Sequence, residues 1–444
     1  MDFLGFLPSV GGVAFTIIAF IIALSVIVAI HEYGHYIVGR WCGIKADVFS
    51  LGFGPVLWSR PDKYGTQWQV AALPFGGYVK FRGDSNAASG KDADAAEGLS
   101  AEELRATMHG APLWARAATV AAGPIFNFVL SFLVFAGLAL SSGVASDPLT
   151  IDEIYALPDR GYEIADGDAL LKVEGRSFDD PEISAHIDTL PSQETWTYTV
   201  LRDGAEVDVK GPPLSPARAG FVDPTGAAHE AGMREGDVIL SISGSEVHRF
   251  GDMIDLVNAS EGQSIPVQIW RDGAESTLNI APRSRDIANP DQTFETRWVM
   301  GVNSDYFFDP QVETPGVFEA MKIGVERLVG FVTLTFSGLY HMITGAISSC
   351  GVSGPIGIAQ MSGTAASQGA GTFIMFIGIL STAVGLLNLF PIPVLDGGHL
   401  VFHAYEAVTG KPPSDKALKV LMTIGLTLLL SLMVFAVTND LFCP

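Results

Sequence analysis

Cysteine is nearly missing from this chain: Cys42, Cys350 and Cys443 are the only three in 444 residues. Scattered and odd in number, they suggest neither a disulfide framework nor a CxxC metal site. Basic residues are scarce as well. Lys and Arg number 26 against 48 Asp and Glu, for a formal net charge of -22, which excludes a general nucleic-acid surface. Charged residues of all kinds make up 17% and hydrophobic ones 48%, a balance that leans toward a membrane protein larger than one average domain. The opening stretch MDFLGFLPSV has no Lys or Arg, and no small-residue cleavage site follows the apolar run behind it, so a cleavable signal peptide is not expected.

Long apolar runs are what the chain does have. Four stretches, at about 13–38, 114–142, 370–392 and 418–438, approach the roughly 20 residues that a bilayer crossing needs. Arg40, Lys45, Arg60, Lys63, Lys80, Arg82, Lys91, Arg105 and Arg116 populate the segment between the first two, which puts that loop in the cytoplasm and the N-terminus outside. A further apolar stretch, 328–348, is Gly-rich and preceded by Lys322, Glu326 and Arg327, and fits an interfacial or re-entrant segment. Residues 82–104, rich in Ala, Gly, Ser and Asp, have the composition of a flexible cytoplasmic insertion.

Residues 143 to about 312 are then extracytoplasmic, and they contain a duplication. GDALLKVEG at 167–175 aligns with GDVILSISG at 236–244, and RDGAE at 202–206 recurs at 271–275 with the same offset of 69 residues. Each copy has the pattern of a small β-rich module whose last two strands are joined by Asp-Gly. The second copy, through RAGFVDPTGAAHEAGMREGD at 218–237, resembles a PDZ domain, with Gly220, Phe221 and Val222 at the place of the peptide-binding loop. That resemblance implies recognition of extended peptides by strand addition. The first copy has no clear Gly-hydrophobic loop and is a degenerate version.

The first apolar run ends in AIHEYGHYIVGR, residues 29–40. Positions four apart share one face of a helix, so His31 and His35 can present two imidazoles to one metal ion, with Glu32 flanking the place of a bound water. A pair of interfacial histidines is the alternative, and it leaves Glu32 without a role. A third ligand is needed. The extended motifs of soluble zinc enzymes do not supply it, because Val38 and Trp41 stand where Gly and His would be required. The best candidate is Asp396 in NLFPIPVLDGGH, residues 388–399, whose prolines and glycines suggest a helix broken at membrane depth with a carboxylate turned inward. A helix-capping role for Asp396 is the competing reading. Glu102 and Glu103, in a helix start within the polar loop, are weaker candidates, and His399 and His403 have no matching partner spacing.

HEYGH in the first span, LDG near the end of a later one and paired PDZ-like modules between them resemble the site-2 protease family of intramembrane zinc metalloproteases, in its bacterial RseP-type (regulator of sigma-E) branch. The resemblance implies a polytopic α-helical membrane protein of about four transmembrane helices, two extracytoplasmic PDZ-like β-rich domains and a membrane-associated β-hairpin, the last corresponding to residues 52–81. The expected divisions are 1–142, 147–215, 216–284 and 313–444. By carry-over, Zn²⁺ is bound by His31, His35 and Asp396, Glu32 is the catalytic base, and Asn388 contacts the substrate backbone. Gly76 and Gly77 mark backbone that offers a free edge. Asn127, in AAGPIFNF at 121–128, has either a direct role or that of a polar link between membrane helices.

The implied substrates are single-pass membrane proteins, such as anti-sigma factors and remnant signal peptides, already trimmed by an upstream site-1 type protease. The implied location is the bacterial cytoplasmic (inner) membrane, with the bilayer itself as a partner and no nucleic acid. A membrane-anchored PDZ scaffold that binds peptide ends without cutting is the rival, and a metal transporter a third reading.

Overall fold

The computed structural model describes residues 12–83, 100–289, 293–348, 350 and 352–442. The leader and most of the 82–104 insertion therefore lie outside the described residues. The chain falls into two compact units, one built from both ends (Met1–Leu140, Gly316–Leu339, Val352–Pro444) and one from the middle (Ser141–Pro315, Tyr340–Gly351).

Among the described residues, four helices are long and apolar enough to cross a membrane: Gly12–Trp41, Leu113–Ser142, Ala370–Asn388 and Asp415–Phe442. Their outward residues, such as Ile17, Leu133 and Leu428, are large, apolar and exposed, as a lipid-facing surface requires. Helix contacts in hydrocarbon come from small residues and buried hydroxyls rather than from hydrophobic burial. Thus a Cβ on Gly34 would stand 2.6 Å from the Ala122 carbonyl, and the Ser131 and Ser381 hydroxyls donate to the carbonyls of Gly378 and Asn127, at 2.8 and 3.0 Å. The last helix is pinned by Asp440, whose carboxylate accepts the amides of Gly354, Ile356 and Gly357 at the start of the Pro355–Ser367 helix. The Val317–Ile343 helix buries only Ala320 and Gly324 and is not among the four apolar crossings.

Between the first two long helices, strands Ala46–Pro61 and Gln67–Phe81 pair twice over. Leu51 faces both Gly77 and Val70, while Trp58 also faces Val70. Residues 46–51 therefore run between 77–81 and 67–70, with 58–61 outermost, and 77–81 forms one edge. Asp62 fastens this sheet to the first helix by accepting the Tyr36 hydroxyl at 2.8 Å, together with the Trp68 indole N–H and two backbone amides.

In the second unit the duplication is visible strand by strand. One sheet has the order Arg176–Ser177, Ala169–Val173, Trp196–Arg202, Ala205–Gly211, and the other Ser245–Glu246, Val238–Ile242, Ile265–Arg271, Ala274–Ile280. Both Asp-Gly corners have positive φ at Asp203 and Gly204 and at Asp272 and Gly273, the conformation of a two-residue hairpin turn. The chain beyond residue 284 adds to both bodies. Val302–Asn303 pairs with Phe221–Val222, and Phe308–Pro310 returns to pair with Ile151–Ile154, so that Phe307 and Phe308 complete the first repeat's core. The cysteines, read as too few for a framework, nonetheless include one bridged residue: Cys350 is disulfide-bonded, whereas Cys42 is a free thiol.

One buried ion pair repeats with the same offset. Asp168 and Asp237, each 1% exposed, receive a two-pronged guanidinium from Arg202 and Arg271 at 2.6–2.7 Å. Each carboxylate also accepts the amide three residues before it, Ala165 or Arg234. Removing one partner strands a charge inside the module. Arg271→Ala is therefore expected to cost about 3 kcal/mol, at the low end for such pairs because Arg271 is partly exposed. Hydrogen exchange in the full chain checks it: amides of Val238–Ile242 should lose roughly a hundredfold protection, and unchanged protection would refute the estimate.

Candidate active site

The first long helix carries His31, Glu32 and His35 on its last turns because helical spacing superposes residues four apart. The third crossing ends at Asn388, and helix resumes only at Asp396. Pro391 and Pro393 have no N–H to continue the ladder between them. A Cβ on Gly397 or Gly398 would strike the carbonyls of Leu389, Phe390 or Ile392, so the chain turns this tightly only with glycine there. Leu395 is the helix cap, without a side-chain cap bond, and Asp396 instead faces the two histidines.

Three donor atoms converge. His31 Nε2 and His35 Nε2 are 3.2 Å apart, and Asp396 Oδ2 lies 3.1 and 3.5 Å from them. Oδ2 is buried and satisfied by no hydrogen bond. Two imidazole nitrogens and a carboxylate oxygen crowded together in this way suit a divalent ion of zinc's ligand preferences, and these are the residues that form a candidate metal cluster among those described. The three donor atoms border a cavity of about 320 Å³ lined by Glu32, Tyr78, Arg116, Asn388, His399 and His403, among others.

Neighbouring groups set the orientation of both imidazoles. His35 Nδ1 donates to the Thr119 carbonyl at 2.8 Å, leaving Nε2 free to bind metal. The Asn127 amide meets His31 Nδ1 at 3.2 Å, and its Oδ1 has no partner. The amide rotamer that turns Oδ1 toward Nδ1–H satisfies that oxygen and frees His31 Nε2 in the same step. Asn127 thus touches His31 through its side chain, while its backbone carbonyl accepts the Ser381 hydroxyl from the neighbouring helix. Gly123 makes room for the pair: a Cβ there would stand 2.8 Å from His31 Cε1 and closer still to His35 Nε2.

The Glu32 carboxylate accepts the Val79 amide on the edge strand and does not join the trio. Gly77 lies against it, with no space for a Cβ beside the Ser50 carbonyl, Val28 and Glu32 Cγ. Gly76, at φ 117°, shapes the approach of that strand. Asn388 lines the cavity while its amide donates to the Val384 carbonyl. Glu103 forms a separate capping box with Ser100, and Glu102 stands beside it in the first turn of that helix. Phe221 lines a different cavity, in the second repeat, whereas Val222 is buried in the core and Gly220 packs on Asp305.

Arg116 and Glu406 had no signal in the sequence. They form a two-pronged pair at 2.6 and 3.1 Å, about one-sixth exposed, that ties the second crossing to the helix headed by Asp396. Burial and the Arg116 charge push His403 down to about 4, so this imidazole is neutral at physiological pH.

The family model described as Peptidase family M50 matches residues 19–432. A relative from Agrobacterium fabrum (strain C58), named as a zinc metalloprotease, is 35% identical over 433 residues, covering 96% of this chain and 95% of its own. A second from Rhizobium meliloti, also named a zinc metalloprotease, is 36% identical over 429 residues, 96% of each chain. The regulator of sigma-E protease RseP of Salmonella typhimurium (strain 14028s) is 30% identical over 455 residues, covering 95% of this chain and 97% of that one. Similarity that runs from end to end includes the two distant segments that the fold brings together around one metal position, and the chain accordingly belongs to peptidase family M50 as a zinc metalloprotease of the site-2 type.

Proposed function

We propose that this protease cuts the transmembrane segments of single-pass membrane proteins in the bacterial cytoplasmic membrane, after an upstream protease has trimmed their extracytoplasmic part. The observation that carries the reading is the convergence of His31, His35 and Asp396 between helices apolar enough to cross a bilayer. One relative is named a regulator of sigma-E protease, which accords with a regulatory protease, and the substrates in this proposal are of the anti-sigma-factor kind and remnant signal peptides. The N-terminus and the two repeats, read as PDZ-like modules, face the periplasm in this scheme, and the metal site opens toward the cytoplasmic leaflet.

Zinc held by the trio supplies Lewis acidity to a scissile carbonyl and to the attacking water. Glu32 takes a proton from that water and returns one to the departing amine as the C–N bond breaks and the C–O bond forms. Helical carbonyls are shielded, so the substrate must unwind first. The edge strand at 77–81 offers it backbone partners beside Glu32, and Asn388 holds its main chain. The PDZ-like pair admits trimmed chains and turns away bulky ones.

A reporter with one transmembrane segment, prepared with and without a folded extracytoplasmic domain, tests this scheme. Mass spectrometry should find the trimmed form cut within its apolar segment and the untrimmed form intact. Equal cleavage of both would refute selection for trimming. No cleavage of either by folded, zinc-loaded protein would favour the rival reading, a membrane-anchored scaffold that binds peptide ends.

A further inference from the structure

The second crossing, Leu113–Ser142, serves all three ligand residues from a single stripe. Residues 116, 119, 123 and 127 are spaced three, four and four apart and so share one helical face. At 127 the Asn side chain meets His31, at 123 the missing side chain seats both imidazoles, and at 119 the backbone carbonyl accepts from His35 Nδ1. The first member of the stripe, Arg116, reaches the third ligand indirectly, by holding Glu406 on the helix that Asp396 begins.

That helix needs such a hold. It starts after the break in which Pro391 and Pro393 interrupt the ladder, so the third crossing does not set its direction. It buries only Gly397 and Gly398, both in its first turn, while Val401, Tyr405 and Val408 stand exposed. Packing therefore fixes where the helix begins and leaves its far end to the ion pair. Glu406 lies about 15 Å along the axis from Asp396, with its two oxygens 2.6 and 3.1 Å from the terminal nitrogens of Arg116. Arg116 is held in turn, because its Nε donates to the Ala111 carbonyl at 3.1 Å. A guanidinium fork gripping a carboxylate fixes orientation as well as distance. Without it, turning the helix about its own axis would swing the Asp396 carboxylate away from His31 and His35. With Nε and both terminal nitrogens engaged, Arg116 acts through Glu406 rather than on substrate.

We infer that Arg116 and Glu406 are positioning residues for the metal: the pair locks the rotation of the Asp396–Thr409 helix, so that one face of the second crossing orients all three ligands. The inference rests on His31, His35 and Asp396 being those ligands.

The test measures zinc affinity by chelator competition on the full-length chain in lipid nanodiscs, with folding followed by circular dichroism. Glu406→Gln and Arg116→Gln should each weaken zinc binding roughly 10–100-fold, as loss of a ligand's support does. Either change breaks the same link, so the double variant should be no weaker than the worse single one. Arg116→Lys keeps the charge without the fork and should fall between wild type and Arg116→Gln, which keeps the test informative where a neutral variant does not fold. A pair that only stabilises the fold would lower the unfolding temperature and leave the zinc affinity of the folded chain unchanged, and that result would overturn the inference. Additive losses in the double variant would do the same, as would a raised KM for a peptide reporter at unchanged zinc affinity, which would make Arg116 a substrate contact. Asp396→Ala, run alongside, separates this inference from the ligand assignment beneath it. Full zinc affinity in Asp396→Ala would sink the assignment, whereas its loss there with wild-type affinity in Arg116→Gln and Glu406→Gln would sink the inference alone.

Discussion

Glu32→Gln is expected to lower peptide hydrolysis by about 10²–10⁴-fold while leaving fold and zinc content unchanged. Gln has nearly the same shape, so the packing against Gly77 and the bond from the Val79 amide survive. What disappears is the oxygen's ability to take a proton from water and return it to the amine. Because Glu32 stands outside the trio of His31, His35 and Asp396, metal should be retained. Parallel measurement of turnover and bound zinc separates the two roles. A Gln variant without zinc would make Glu32 a ligand, and a fully active one would remove it from the chemistry.

Gly123→Ala should be almost as damaging, although a methyl group in a helix is ordinarily benign. The added carbon would stand 2.8 Å from His31 Cε1 and nearer to the ring of His35. One or both imidazoles must swing away, breaking the His35–Thr119 bond or the His31–Asn127 contact that aims each Nε2. Misorienting one ligand through its support costs about 10–100-fold in metal affinity, and displacing two should reach the upper end of that range. Gly137→Ala is the matched control, since it lies on the same helix with nothing within 4 Å. Chelator competition should show weakened zinc binding in the first variant alone. Equal affinity in both would mean that the helices separate enough to admit the methyl.

Much of this site is legible in the sequence because its parts are local patterns. Helical spacing puts His31 and His35 on one face, and the Pro and Gly around Asp396 announce a broken helix whatever packs against it. The duplication is equally legible, since a fixed offset survives in the strands and in the Asp168 and Asp237 ion pairs. Contacts made by chemically unremarkable groups are not. Thr119 acts through a backbone carbonyl that any residue would provide, and Gly123 through the absence of a side chain. Arg116 and Glu406, 290 positions apart, meet only when their two helices come together in the folded chain. The return of Phe307 and Phe308 into the first repeat's core is hidden for the same reason: pairing across more than 150 residues leaves no periodic trace.

Zinc content per chain, measured by inductively coupled plasma mass spectrometry after purification in limiting free zinc, tests the trio of His31, His35 and Asp396 most directly. Wild type should carry close to one zinc per chain, and folded Asp396→Ala close to none, because two histidines alone leave the ion without its anionic ligand. A full complement of zinc in Asp396→Ala would contradict the assignment and send the search for the third ligand to other residues of the cavity.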